Sequence, residues 1–200
     1  MSSAGLLVRS ASLDDLEMVE RIYRHYVDAS VSTFEEAAPD RAEWTRRFGE
    51  VTGQGLPFLV AEVQRLEVQR LEVQRLVAQR LEVQGLVVGY ALAAPWRTRP
   101  AYRHTVEESV YVDPSAIGQG IGHALLDELL RRCALANVRE VVAVIVDTGP
   151  TDDNASLALH RRCGFTLVGR LAGVGRKHDR WLDTILMQRS LAAIPEPAAT

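Results

Sequence analysis

Several things are scarce in this sequence, and each scarcity closes off a class of function. There are only two cysteines, Cys133 and Cys163, and they follow none of the spacings that bind a metal or form a redox pair. They read as buried free thiols, suited to a reducing cytoplasm. No apolar run approaches the ~20 residues that cross a bilayer. The opening residues, MSSAGLLVRS, lack the basic segment and long apolar stretch of a signal peptide. Charge of one sign is lacking too: the net charge is -3, so no dense basic face is available to displace counterions from nucleic acid. The expectation is a soluble, cytoplasmic protein with no membrane, nucleic-acid or metal partner.

What is present reads as one domain of about 185 residues, spanning 6–190, with flexible tails at 1–5 and 192–200. Leu6-Leu7-Val8 is a first strand. Ser12 then caps a helix in which Leu13, Leu16, Val19, Ile22, Tyr23 and Tyr26 recur at helical spacing, with Asp14 and Asp15 at its positive end. Pro39-Asp40 starts a second helix through Trp44 and Phe48. Strands are expected at 57–61, 86–93, 105–113, 141–146, 165–168 and 181–188, and helices at about 122–136 and 155–163. Val141 to Val146 is apolar enough to be buried on both faces. The order is β-α-α-β-β-β-α-β-α-β-β, an α/β (α+β) mixed sheet flanked by helices.

One segment fits no element. From Glu62 to Leu86 the chain reads EVQRL EVQRL EVQRL VAQRL EVQGL. A period of five rotates each repeat by about 140° on a helix, and moves successive valines to opposite faces of a strand. Joining Val63 directly to Gln84 gives PFLVAEV-QGLVVGYALA, an ordinary hairpin around a Gln-Gly turn. Residues 64–83 therefore read as an insertion, either helical or an extended hairpin in conformation.

Between the strand at 105–113 and the next helix lies DPSAIGQGIGHA. Alternating glycines there let successive backbone N–H groups converge on an anion at a helix N-terminus. It is not a P-loop, since Gly-Lys-Ser/Thr is absent. A dinucleotide G-x-G-x-x-G starting at Gly118 meets His123, and one starting at Gly120 meets Leu125.

With HYVDASVSTFE, APWRTRPAYRHTVEESVYVD, NASLALHRRCGF and RKHDRWLDTILMQ, this loop resembles the GNAT superfamily of N-acetyltransferases. Within it the likeness is to the phosphinothricin and methionine sulfone acetyltransferases. It implies the GNAT fold, acetyl-CoA as co-substrate, no metal, and a homodimer. The family's loop motif falls on Ile117 to Gly122, with Ile117 in place of the usual Arg or Gln. By resemblance Gly118, Gln119, Gly120, Ile121, Gly122 and His123 wrap the pyrophosphate. Val110, Tyr111 and Val112 pair with the pantetheine arm, and Asn154 and Ser156 complete the cofactor contacts.

The same likeness assigns the chemistry. N-acetylation needs a neutral amine, a polarised carbonyl and a protonated thiolate leaving group. Glu107 matches the base position, and its neighbour Glu108 should point to the other face of the strand. His160 matches a histidine associated with catalysis as base or acid. Phe34, Arg97, Arg99 and Tyr102 match positions lining the acceptor pocket, where a guanidinium suits a carboxylate or phosphinate. The expected function is transfer of acetyl to the amino group of a small amino-acid-like substrate in a ternary complex. The alternatives are a non-catalytic acetyl-CoA sensor, or an acetyltransferase acting on proteins or other amines.

Overall fold

The computed structural model describes residues 5–64, 85–149 and 154–191. Most of the pentapeptide segment, most of both expected tails and part of the loop before Asn154 lie outside the described residues. The element order matches the sequence reading: β1 (Leu6–Ser10), α1 (Leu16–Ala29), α2 (Arg41–Gly53), β2 (Phe58–Gln64), β3 (Gly85–Pro95), β4 (Thr105–Val112), α3 (Ile121–Leu135), β5 (Glu140–Asp147), α4 (Ala155–Arg162), β6 (Thr166–Lys177) and β7 (Arg180–Ser190).

Local chemistry sets the ends of these elements. Ser12 caps a single 3-10 turn ahead of α1, where the Asp15 carboxylate accepts from the Ser12 amide and hydroxyl and from Arg9. Asp40 caps α2 by accepting from the Glu43 amide. The seven strands lie in the order β1-β2-β3-β4-β5-β7-β6. All neighbours are antiparallel except β4 and β5, which run parallel with α3 as their crossover.

Each face of the sheet has its own core. On one, α1 and α2 bury Leu16, Val19, Ile22, Tyr23 and Trp44 against Phe58, Val60 and Tyr90. On the other, α3 buries Ile121, Leu125, Leu126, Leu129 and Cys133 against Leu59, Ala91, Val106, Val141 and Ala143. Removing such a leucine side chain from water contributes roughly 1.5–3 kcal/mol. In the described residues no helix is long and apolar enough to cross a membrane.

Two expectations need correction. β6 runs far beyond the expected 165–168, while β7 extends 181–188 only to Arg180–Ser190. Lys177 pairs with Arg180 around His178 and Asp179, whose φ angles of 48° and 58° make a two-residue hairpin turn that follows the twist of the strands. Further along β6 a bulge takes in Gly173, at φ 59°, whose amide donates to the Asp183 carboxylate at 2.6 Å. Likewise β5 is not buried throughout, because Val144 is 37% exposed.

Candidate active site

The site begins where the sheet parts. β4 and β5 share three rungs, Thr105↔Glu140, Val106↔Val141 and Glu107↔Val142, and then stop pairing although both strands continue. The Asp113 amide donates to the Val88 carbonyl of β3. By strand alternation the N–H and C=O of Val110 and Val112 therefore turn toward the gap, while the backbone of Tyr111 turns toward β3. The Tyr26 hydroxyl donates to the Val112 carbonyl at 2.6 Å. An extended ligand with amide groups fits the remaining edge.

The glycine loop lies at the end of this gap. Gly118 and Gly120 both sit at φ 81°, where an L side chain is strained, and Gly120 is the N-cap of α3. The amides of Ile121, Gly122 and His123 form the open first turn of α3, an arrangement suited to phosphate oxygens. The Ile121 side chain is buried in the core, so only its backbone is available. Ile117 is 60% exposed and supplies no polar group. The Gln119 amide nitrogen donates back to the Ser115 carbonyl at 3.4 Å.

The adjacent carboxylates of β4 part company. Glu107 is half-buried on the face shared with Tyr111, opposite Ala94 at the end of β3. Burial pushes its carboxyl above the ordinary glutamate value, the Glu108 charge adds to this, and the Arg97 guanidinium opposes it. Such a carboxyl suits a general base, which works best when poised nearer neutrality. Glu108 lies on the other face and is buried, its Oε1 2.6 Å from His160 Nε2. Glu107 and His160, expected to share the chemistry, thus occupy opposite faces of β4.

Asn154 caps α4: Oδ1 accepts from the Ser156 and Leu157 amides, and Nδ2 donates to the Val146 carbonyl at 3.1 Å. Ser156 stands in the first turn of α4, half-buried. Arg97, Arg99 and Tyr102 are exposed on the β3–β4 connection, with the Arg97 guanidinium over the Trp96 ring at 3.9 Å. Phe34 sits on the loop after α1, its ring against Gly175 of β6. A Cβ there would come within 2.2 Å of the ring.

Sequence reading missed what holds that loop. The buried Thr33 hydroxyl lies 2.6 Å from the Tyr23 hydroxyl, and its carbonyl accepts from Lys177. Tyr23, Tyr26, Tyr90 and Tyr111 form a ring cluster under Glu107's face with centroids 5.0–5.5 Å apart. Burial raises the phenol of each, so all four stay protonated at neutral pH. A cavity of about 320 Å³ lined by Val27, Asp28, Glu36, Lys177 and His178 lies beside the loop, and none of the expected acceptor residues lines it.

Known proteins resemble this chain over most of its length. Residues 20–165 match the Acetyltransferase (GNAT) family. The chain is 42% identical over 193 residues to a phosphinothricin N-acetyltransferase of Alcaligenes faecalis, covering 96% of this chain and 86% of that one. It is 33% identical to an L-methionine sulfoximine/L-methionine sulfone acetyltransferase of Pseudomonas aeruginosa, covering 92% and 94%. A phosphinothricin acetyltransferase from Sinorhizobium meliloti, solved in complex with AcCoA, superposes with a TM-score of 0.80 at 40% identity, covering 98% of this chain and 94% of that one. The chain belongs to the GNAT family of acetyltransferases.

Proposed function

We propose that this enzyme transfers acetyl from acetyl-CoA to the amino group of a small amino acid of the phosphinothricin or methionine sulfone type. The observation that carries the reading is the open edge of β4 beyond Glu107, leading to the glycine-rich first turn of α3. Acetyl-CoA would supply the thioester. Its amide-bearing arm fits the Val110–Val112 edge, and its phosphates fit the amides of Gly120 to His123.

Glu107, directly or through a water, takes a proton from the acceptor ammonium. The freed nitrogen lone pair attacks the thioester carbonyl, the N–C bond forms and the C–S bond breaks. CoA leaves as a thiol, so one proton passes to sulfur and one to Glu107. Arg97, whose charge reaches Glu107, would hold the acceptor's acidic group, with Arg99, Tyr102 and Phe34 the further acceptor contacts that the family likeness implies. Steady-state assay of CoA release with phosphinothricin, methionine sulfone, methionine sulfoximine and aromatic amino acids tests the assignment. Turnover of one of the first three is expected, and no release above background with any acceptor overturns it.

Cys133 and Cys163, both buried and unpaired, support a cytoplasmic setting. A homodimer is supported by the exposed apolar residues of the C-terminal hairpin, Leu167, Val168, Val174 and Trp181. Sedimentation should give twice the monomer mass, and Trp181→Glu should halve it.

A further inference from the structure

We propose that Glu108 and His160 form a buried clasp that positions the acetyl-CoA cleft, and that His160 holds no free lone pair with which to act as a base. Both ring nitrogens face oxygens at 2.6 Å: Nδ1 the carbonyl of Ser156, Nε2 the carboxylate Oε1 of Glu108. A carbonyl only accepts, so Nδ1 carries a proton. The Nε2···Oε1 line requires a second proton between its ends, and the Glu108 carboxylate charge beside the ring holds that proton on nitrogen. Neither lone pair is left for a substrate proton.

The surroundings keep the pair in that state. His160 is 1% exposed and Glu108 6%, and the Phe165 ring stands edge-on to the imidazole at 5.0 Å. Glu107, Tyr111, Cys133 and Cys163 all feel the Glu108 charge, and Asp127, Arg162 and Arg189 act on Cys163. Burial and the Glu108 charge push the Cys133 thiol on α3 up to about 12. The Cys163 thiol, just past α4, is also raised by burial. Glu107 lies on the far face of β4. Among the described residues Glu108 Oε2 is buried with no hydrogen-bond partner, and the carboxylate's attachment there runs through His160.

Location gives the clasp its consequence. Glu108 is the first residue of β4 beyond the last rung with β5, Glu107↔Val142. His160 belongs to α4, whose first turn is tied to the end of β5 by Asn154. The clasp therefore bridges the two sides of the parting strands at the depth where they separate, and fixes the edge offered by Val110 and Val112. Glu108 and His160 are positioning residues, acting through the backbone they brace. This rests on the proposed acetyl-CoA reading for its functional half only.

Two measurements on the full chain test it. Long-range ¹⁵N NMR of the His160 side chain should find both ring nitrogens protonated at neutral pH, and an unprotonated ring nitrogen there overturns the clasp. Calorimetry with acetyl-CoA and steady-state kinetics on Glu108→Ala and His160→Ala should show Kd raised roughly tenfold with kcat changed less than about threefold, the size expected for losing one buried coupled pair. His160→Gln, which keeps a donor to Glu108, should recover most of that affinity and keeps the test alive if the alanine variants fail to fold. A fall in its kcat beyond roughly a hundredfold at unchanged Kd, with an ionisation lost from the kcat–pH profile, shows that His160 moves a proton and sinks the proposal. If wild-type protein binds no acetyl-CoA, the functional reading fails while the NMR result still decides the clasp.

Discussion

Lys177 Nζ donates to the Thr33 carbonyl at 2.9 Å, joining the C-terminal hairpin to the loop that carries Phe34. The lysine is 3% exposed, and burial lowers its ammonium below the usual lysine value against the pull of Asp28, Glu35 and Glu36. Two residues earlier Gly175 leaves the space that the Phe34 ring fills. One stretch of β6 thus sets the height of the loop that carries Phe34.

Gly175→Ala places a methyl where the Phe34 ring now lies and forces the ring and its loop outward, at a cost of about 1–3 kcal/mol for overpacking. Acceptor KM should rise while acetyl-CoA Kd, measured by calorimetry, stays within error. Unchanged acceptor KM would remove Phe34 from the acceptor pocket.

Glu107→Gln should lower kcat by roughly 10²–10⁴, the usual worth of a positioned base. Acetyl-CoA affinity should hold, since the loop amides are untouched. Its effect on stability has the opposite sign. A carboxyl whose folded pKa is raised destabilises the fold increasingly as pH climbs from the unfolded value through the folded one. At neutral pH the glutamine variant should therefore melt at or above the wild-type temperature. Equal losses of activity and stability would make Glu107 a structural residue.

His160 titrates the other way. Burial opposes its charge, but the hydrogen bond and charge of Glu108 and the Ser156 carbonyl outweigh it, so its folded pKa is raised. The resulting stabilisation is fully present below the unfolded value near 6.5 and is lost as pH rises through the folded one. Urea denaturation of wild type and His160→Gln should show a larger gap at pH 6 than at pH 9.5. A gap that widens with pH contradicts this assignment.

The repeat can be tested by removal. Val63 and Leu86 are register partners in the β2–β3 pair. Deleting residues 64–83 leaves Gln84-Gly85 as a two-residue turn between them, with glycine at a position that favours positive φ. The shortened chain should keep its melting temperature within a few degrees and its turnover within about twofold, because added length in a surface turn costs little closure entropy. Loss of folding would make the repeat part of the domain.

Periodicity carried the sequence reading wherever burial is regular. The stripe of α1 and the apolar run of β5 announced their elements, and the glycine loop announced the helix N-terminus it opens. It failed where strand geometry depends on glycine and on unusual turn residues. Gly169, Gly173 and Gly175 made β6 look like a loop, and His178-Asp179 is an uncommon pair for a tight hairpin. Alternation along β4 did separate Glu107 from Glu108. Nothing local could reveal that Glu108 meets a histidine 52 residues away, or that Lys177 reaches Thr33 across 144.

The three rungs between β4 and β5 make the sheet continuous at one end and leave it torn at the other. A bound molecule lying in the tear would serve as an eighth strand, sharing its hydrogen bonds with the fold itself. Ligand binding and rigidity of the enzyme then become one property. The amides of Val110 and Val112 should exchange with solvent freely in the unliganded enzyme and slow together when the gap is filled.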